Sequence, residues 1–524
     1  MKVRGFRQAN AWLHNWTGLL LGWLLYAIFL TGTLCFFQNE ITLWMKPEQH
    51  GSHPDAGSAE RAWATLQRLA PTAEQWRIQL PGERNTAIQV NWNEPGQEKR
   101  HALTLDAASG EPLEVRETLG GQFFYRFHFQ LFGIDYMWGR WIVCIATMLM
   151  LVAIVSGVIV HKKIFQEFFT FRPGKSQRAW LDAHNATAVL ALPFHLMITY
   201  SGLLLFMYML MPWGMQSVYQ DDTRRFFSEL FPRDPVEANP APMQNGVPLT
   251  DLRPLLDEAE RHWPRGVGSI EVRRPGTELA VIELRELGGD SLLDRGAGER
   301  LRFDGTTGEP LDIPPQADGG TAKAVYNVLT GLHLLRFAGV EMRWFFFLSG
   351  LLGTAMIATG LVLWVGKRLP KRRKSGTTPF GHRLVEVLNV GTVAGLPVAI
   401  AAYFWANRLL PLGLAQRIDW EIRCLFIAWA LCLVHPLLRS YRRAWIEQLA
   451  LASLLYAGLP LLNLSLPDSH LLTTLAHGQW LVAGMDLTLL ALAALFGLAA
   501  WKLTRLPSSA VQNPTRKAPQ EAPI

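Results

Sequence analysis

Cysteine is scarce. The 524 residues contain four, Cys35, Cys144, Cys424 and Cys432, and each lies within an apolar stretch. No CxxC or CxxCH occurs, which excludes a disulfide frame, an iron–sulfur site and a covalently attached c-type haem. No GxGxxG follows a strand-like run and no Walker A segment is present, so a nicotinamide, flavin or ATP domain within the chain is not expected. Charge is sparse as well, at 18% of residues. The formal charge of +7 is not that of a nucleic-acid binder, because the basic residues sit beside apolar stretches, the pattern of cytoplasmic membrane flanks. No small-residue cleavage site follows the first apolar stretch, which reads as a retained span and not a removed leader.

Long apolar runs are what the chain does have. A hydrocarbon core of about 30 Å requires roughly 20 apolar residues per helix. Eight candidates meet this, near 16–37, 138–160, 186–211, 343–366, 384–405, 420–438, 446–464 and 479–501. Lysine and arginine concentrate before the first span, in every second loop (Lys162 to Arg178, Lys367 to Lys374, Arg439 to Arg443) and after the last span at Lys502 and Arg505. This bias predicts both termini in the cytoplasm of a multi-pass membrane protein. The expected organisation is a first span over 1–37, an outer segment over 38–137, and spans two and three over 138–211. A second outer segment follows over 212–342, spans four to eight over 343–505, and a disordered tail over 506–524.

Both outer segments read as small α+β units. A helical run at 59–70 precedes alternating strands RIQL, AIQVNW and HALTLD in the first. The second repeats the order, with a helical run at 252–263 before SIEVRR, ELAVIEL and RLRFDG. An internal repeat is explicit: LTLDAASGEPLE at 103–114 aligns without a gap on LRFDGTTGEPLD at 301–312. HN at 14–15 with TG at 31–32 has the spacing of HN at 184–185 with SG at 201–202, and RW at 140–141 with SG at 156–157 matches RW at 343–344 with TG at 359–360. Residues 1–366 are therefore expected to be two parallel copies of helix, outer unit, helix, related by an axis along the membrane normal. The fold class is a mainly α membrane protein.

Histidine is the residue type with chemical reach here. An ionisable group in a span is costly unless it faces a partner, and imidazoles in an apolar bundle hold b-type haem iron without covalent attachment. The repeat makes His14 equivalent to His184 at the inner side, and His128 equivalent to His333 at the outer side. Two pairs at two depths suit two bis-histidine haems. His161 and His195 break the symmetry, and either can replace a symmetric partner. His195 lies eleven residues after His184, roughly 16 Å along a straight helix, near mid-bilayer. His382 is a further inner candidate. Taken singly, a histidine at a helix end is ordinarily a cap or an interfacial group; recurrence in both copies is what favours the ligand reading. His50, His53, His101, His262, His435, His470 and His477 read as surface or loop-end residues. Arg126, Arg140, Arg336 and Arg343 either pair with propionates or mark the interface, and Gly32, Gly157, Gly202 and Gly360 serve close packing of helices or of a porphyrin.

LHNWTGLLLGW with LTGTL, the two D-x-x-[ST]-GEPL segments, VSGVIVHKKIFQEFFTFRPGK, DAHN, GLHLLRF and ATGLVLWVGKR together resemble the PepSY-associated transmembrane helix family of bacterial inner-membrane proteins. The resemblance covers about 1–370. It implies PepSY domains in the periplasm and, from the better-understood relatives, haem-containing ferric-siderophore reductase activity with ligands drawn from membrane-helix histidines. That role falls on His14, His128, His184 and His333, with His161 and His195 as further matches. The expected function is then an inner-membrane dihaem b-type reductase of a periplasmic ferric siderophore or other ferric chelate. Its electrons come from a membrane quinol or a separate donor. The alternative is a non-redox permease or a PepSY-type partner-binding regulator, with Asp486 as the main acidic residue within a span. The chain shows no broken-helix pattern of the kind many transporters carry.

Overall fold

The computed structural model describes residues 5–97, 100–161, 176–220, 222, 224, 225, 246–289, 291–312, 320–466 and 468–505. The basic loop at 162–175 and the tail at 506–524 lie outside the described residues.

Among the described residues seven helices are long and apolar enough to cross a bilayer: Gly22–Trp44, Tyr136–Val160, Val340–Pro370, Phe380–Leu409, Arg417–Leu437, Tyr441–Ser465 and Trp480–Arg505. An eighth span exists if Gln177–Leu190 and Leu192–Leu205, bent by 66° at their junction, are counted together. This is a broken helix that the sequence reading did not anticipate. The first helix breaks at the matched place. Eight helices surround the histidines: α1 Phe6–Leu20, α2 Gly22–Leu34, α3 Gln122–Gln130, α4 Tyr136–Val160, α5 Ser176–Leu190, α6 Leu192–Leu205, α7 Gly320–Leu334 and α8 Val340–Ser375. Leu21 ends α1 and Ala191 ends α5, each seven residues after its histidine and each at φ −111°. In the second copy Pro193 occupies the first turn of α6, where its missing N–H costs nothing and its fixed φ suits helix initiation. The first span also runs on to Trp44, past the expected boundary at 37, because Ile41, Leu43 and Trp44 bury against the bundle.

The two outer segments do not form separate sheets. They share one antiparallel seven-stranded sheet of order β3-β2-β1-β4-β5-β6-β7, with β1 Gln75–Gln79, β2 Ile88–Asn93, β3 Arg100–Leu105, β4 Val267–Arg273, β5 Val281–Glu286, β6 Arg300–Asp304 and β7 Pro310–Leu311. The join is β1 against β4, with Ile78 opposite Ile270 and Arg77 opposite Glu271; Arg77 Nη2 donates to Glu271 Oε2 at 3.1 Å. One face carries Trp63 and Leu66 from helix Ser58–Leu69 and Leu252, Leu256 and Trp263 from the region of helix Leu252–His262, all in a single core. The two D-x-x-[ST]-G-E-P segments are turns that close the last strands. Asp106 Oδ1 accepts from the Ala108 and Ser109 N–H groups, and Asp304 Oδ1 from those of Thr306 and Thr307. Gly110 and Gly308 follow at φ +75° and +76°, a conformation that favours glycine.

A buried carboxylate ties sheet to bundle. Glu40 accepts from Arg84 Nε at 2.7 Å and from Arg343 Nη1 at 2.6 Å. Arg343, one of the arginines held open for propionates, is therefore committed elsewhere. The C-terminal spans buttress the first: Tyr26 donates to the Val393 carbonyl (3.0 Å) and the Trp23 indole to Asn389 Oδ1 (2.9 Å). A π-helical turn at Val390–Ala394 leaves the Gly391 carbonyl to accept from Trp429 at 3.0 Å. Asp486 is fully buried, accepting from the Trp44 indole (2.8 Å) and Asn463 Nδ2 (3.0 Å).

His50 is a correction to the surface reading. It is buried, with Nε2 donating to the Leu43 carbonyl (2.9 Å) and Nδ1 accepting from Ser469 (2.8 Å). Burial pushes its pKa down to about 4. Two outcomes follow. Glu40→Ala leaves two arginines without their carboxylate and is expected to cost about 3–5 kcal/mol, as loss of one member of a buried ion pair does; thermal unfolding in detergent measures it, and a variant as stable as wild type refutes the clamp. His50 takes up a proton on unfolding between pH 6.5 and about 4. Stability from this site is therefore complete above pH 6.5 and falls as pH drops, by at most about 1.4 kcal/mol per unit. His50→Gln should flatten the pH dependence of Tm between pH 6.5 and 4.5, and an unchanged slope counts against it.

Candidate functional site

Four histidines are held by one device used four times. In α1, His14 lies against Gly157 of α4; in α5, His184 lies against Gly360 of α8. In α3, His128 lies against Gly32 of α2; in α7, His333 lies against Gly202 of α6. A Cβ at Gly157, Gly360 or Gly202 would stand 3.1 Å from the imidazole, and at Gly32 only 2.5 Å. Close approach to the ring is thus the reason for these glycines. The space lets each ring reach the helix backbone one turn earlier. Nδ1 of His14, His184 and His128 lies 2.8 Å from the carbonyls of Ala153, Met356 and Ile28 respectively. Each of these carbonyls is four residues before its glycine. His333 Nδ1 lies 3.0 Å from Ser201 Oγ, whose own proton goes to the Met197 carbonyl at 2.7 Å, so the hydroxyl oxygen accepts. A carbonyl can only accept, so Nδ1 carries the proton and Nε2 keeps its lone pair.

Those lone pairs belong to rings that meet in twos. The His14 and His184 ring centres are 6.3 Å apart at 65°, and those of His128 and His333 are 6.2 Å apart at 36°. Two metal–imidazole bonds of about 2.0 Å in line, plus roughly 1.1 Å from each ring centre to its nitrogen, sum to about 6.2 Å. The separations fit one metal between each pair. Among the described residues no three His, Cys, Asp or Glu side chains converge as a metal site; each ring pair offers two imidazole nitrogens. Haem fits that donor set.

The inner pair opens on a cavity of about 370 Å³, within the range of cofactor pockets. His14, His184, Gly157, Gly360, His161 and His195 all line it. Beyond the bend at Ala191, His195 lies against Gly353 of α8, seven residues before Gly360, at the deeper end of the cavity. His195 is fully buried near the Ala188 and Ser349 backbone, yet neither of its ring nitrogens completes a hydrogen bond. His161 Nε2 is likewise buried without a partner. His382 does not join them. Its Nε2 faces Glu386 Oε1 at 3.5 Å, a carboxylate that Arg372 also holds. At the outer level Arg126 and Arg336 are exposed, while Arg140 lies over the rings of Tyr136 and Phe129 at 5.1 and 5.4 Å. The accepting carbonyls and the hydroxyls before the glycines are the features that sequence reasoning missed. The recurring SG and TG pairs were the signal that could have found them.

A chain with seven or eight apolar spans and an extramembrane sheet is a multi-pass membrane protein. Residues 11–367 match the family described as the PepSY-associated TM region, and the chain belongs to that family. No curated protein matches the chain. All four glycine-held histidines fall within the family match; the spans after 367 lie beyond it.

Gly32→Ala is expected to displace the His128 ring and break its bond to Ile28, with a loss on the order of 1–3 kcal/mol typical of overpacking. Gly157→Ala, with more room, should lose less. Tm values of the two variants in detergent decide it, and equal losses contradict the cradle geometry.

Proposed function

We propose that the chain is a two-haem b-type membrane reductase in a bacterial inner membrane, with its termini in the cytoplasm, that delivers electrons across the bilayer to a periplasmic ferric siderophore or another ferric chelate. The observation that supports this reading is the fourfold recurrence of one arrangement: imidazole on glycine, Nδ1 fixed by a helix backbone or hydroxyl, and rings paired at 6.2 and 6.3 Å. Bis-imidazole haem, when bound, supplies one-electron transfer.

The chain's own residues do the rest. His14 and His184 hold the inner group and His128 and His333 the outer one, with His161 and His195 as alternative inner ligands. Ala153, Met356, Ile28 and Ser201 hold the Nδ1 protons and so fix ring orientation, as acceptors behind metal-bound imidazoles do. The matched contacts in both halves favour the parallel repeat. The sheet, which the repeat reading makes two PepSY-like halves, shapes the surface on which a chelate docks. Hard oxygen ligands prefer Fe(III) to Fe(II), so reduction loosens the metal without a protein nucleophile or base. Electrons come from a membrane quinol or a separate donor. The permease alternative gains little from Asp486, which Trp44 and Asn463 hold away from the cavity-lining residues.

Reduced-minus-oxidised absorbance of purified protein tests the reading. Wild type should show b-type bands for two haems. His14→Ala and His184→Ala should each lose the same haem, and His128→Ala and His333→Ala the other. Protein that stays colourless after expression with ample haem overturns the proposal.

A further inference from the structure

We infer that Arg7 and Lys367 form the carboxylate-binding rim of the inner cavity, so that its occupant enters apolar edge first with its anionic side groups toward the end opposite the sheet. The inference rests on the haem reading and goes beyond it by fixing which way round the group sits.

Both cations line the cavity that holds His14 and His184. Their positions follow from helix geometry. Arg7 precedes His14 by seven residues on α1, and Lys367 follows Gly360, the seat of His184, by seven on α8. Seven residues are two turns, about 10 Å along the axis, and return to the same helix face. The two cations therefore stand at one level, on the same faces as the paired imidazoles, displaced toward the loop side by a distance of the order of a porphyrin radius plus a propionate chain. The opposite end of the cavity is formed by Leu25, Met150, Leu192 and Met356 together with the His195 ring, and it carries no lysine, arginine or carboxylate. A polarity gradient of this kind suits a flat apolar ligand with acidic groups along one edge.

Neither cation is committed to a carboxylate among the described residues. Arg7 Nε donates to the Val160 carbonyl at 3.0 Å, which positions the side chain at the mouth without neutralising it. The adjacent Arg368, by contrast, lies 3.6 Å over the Trp364 ring and donates to the Trp364 carbonyl. Both residues are exposed at the mouth of the cavity, where two cations without a carboxylate partner favour an anion between them, and they fix the orientation that the near-symmetric histidine pair by itself leaves open.

The test uses full-length protein purified in detergent from haem-deficient cells and titrated with haem or haem dimethyl ester, with binding read from the Soret band. Wild type should bind the free-acid haem at the inner site at least about tenfold tighter than the ester, a difference of about 1.4 kcal/mol. Arg7→Gln/Lys367→Gln should bring that ratio close to one while leaving the affinity for the ester unchanged, and Arg7→Lys/Lys367→Arg should restore it. Equal binding of acid and ester to wild type overturns the rim assignment and leaves the haem reading standing. Failure of wild type to bind either form overturns both.

Discussion

An imidazole sunk into an apolar helix bundle has to place its N–H somewhere, and in this protein that requirement organises the centre of the molecule. Every N–H and C=O in a span is already engaged along the helix, so the available acceptor is the second lone pair of a carbonyl. Reaching it requires the two helices to approach more closely than a Cβ permits. A glycine four residues after that carbonyl provides the approach, and the bond in turn fixes the ring, its tautomer and the direction of its free nitrogen. Because the device occurs on α4, α8 and α2, and on α6 with the Ser201 hydroxyl in place of the carbonyl, the helices are drawn together as α1 with α4, α5 with α8, α2 with α3 and α6 with α7. The paired rings are the consequence.

The remainder of the fold holds those helices at the right separation. Merging of the two half-sheets through β1 and β4 ties the two outer segments, which precede α3 and α7 in the chain, into one body. Glu40 anchors that sheet to the start of α8 through Arg84 and Arg343. On the other flank the span Phe380–Leu409 packs against α2 through Tyr26 and Trp23, which supports the helix that carries Gly32. The C-terminal spans therefore contribute rigidity to the first half of the bundle, although they supply none of the four paired histidines.

Much of the site was legible because it repeats. Matching His14 to His184 and His128 to His333 needed only equal spacing, and the TG and SG dipeptides marked the glycine seats. The same reasoning went astray where a contact lay far along the chain. His50 looked like a loop histidine because its partner, Ser469, is more than four hundred residues away. His195, expected near mid-membrane, lies against Gly353 and Phe29, between the levels of the inner and outer pairs, and borders the inner cavity from that side.

Apolar runs of spanning length, basic flanks, period-two strands and the internal duplication were all present in the sequence by itself, because each is local or a comparison of the chain with itself. They determined a multi-pass membrane protein with repeated histidines. The tertiary structure alone decided that the two outer segments share one sheet, that Arg343 serves Glu40, which carbonyl each ring uses, and that His161 and His195 border the inner pair. Those outcomes depend on distances between elements, and a distance set by helix crossing and strand pairing has no signature in residue order.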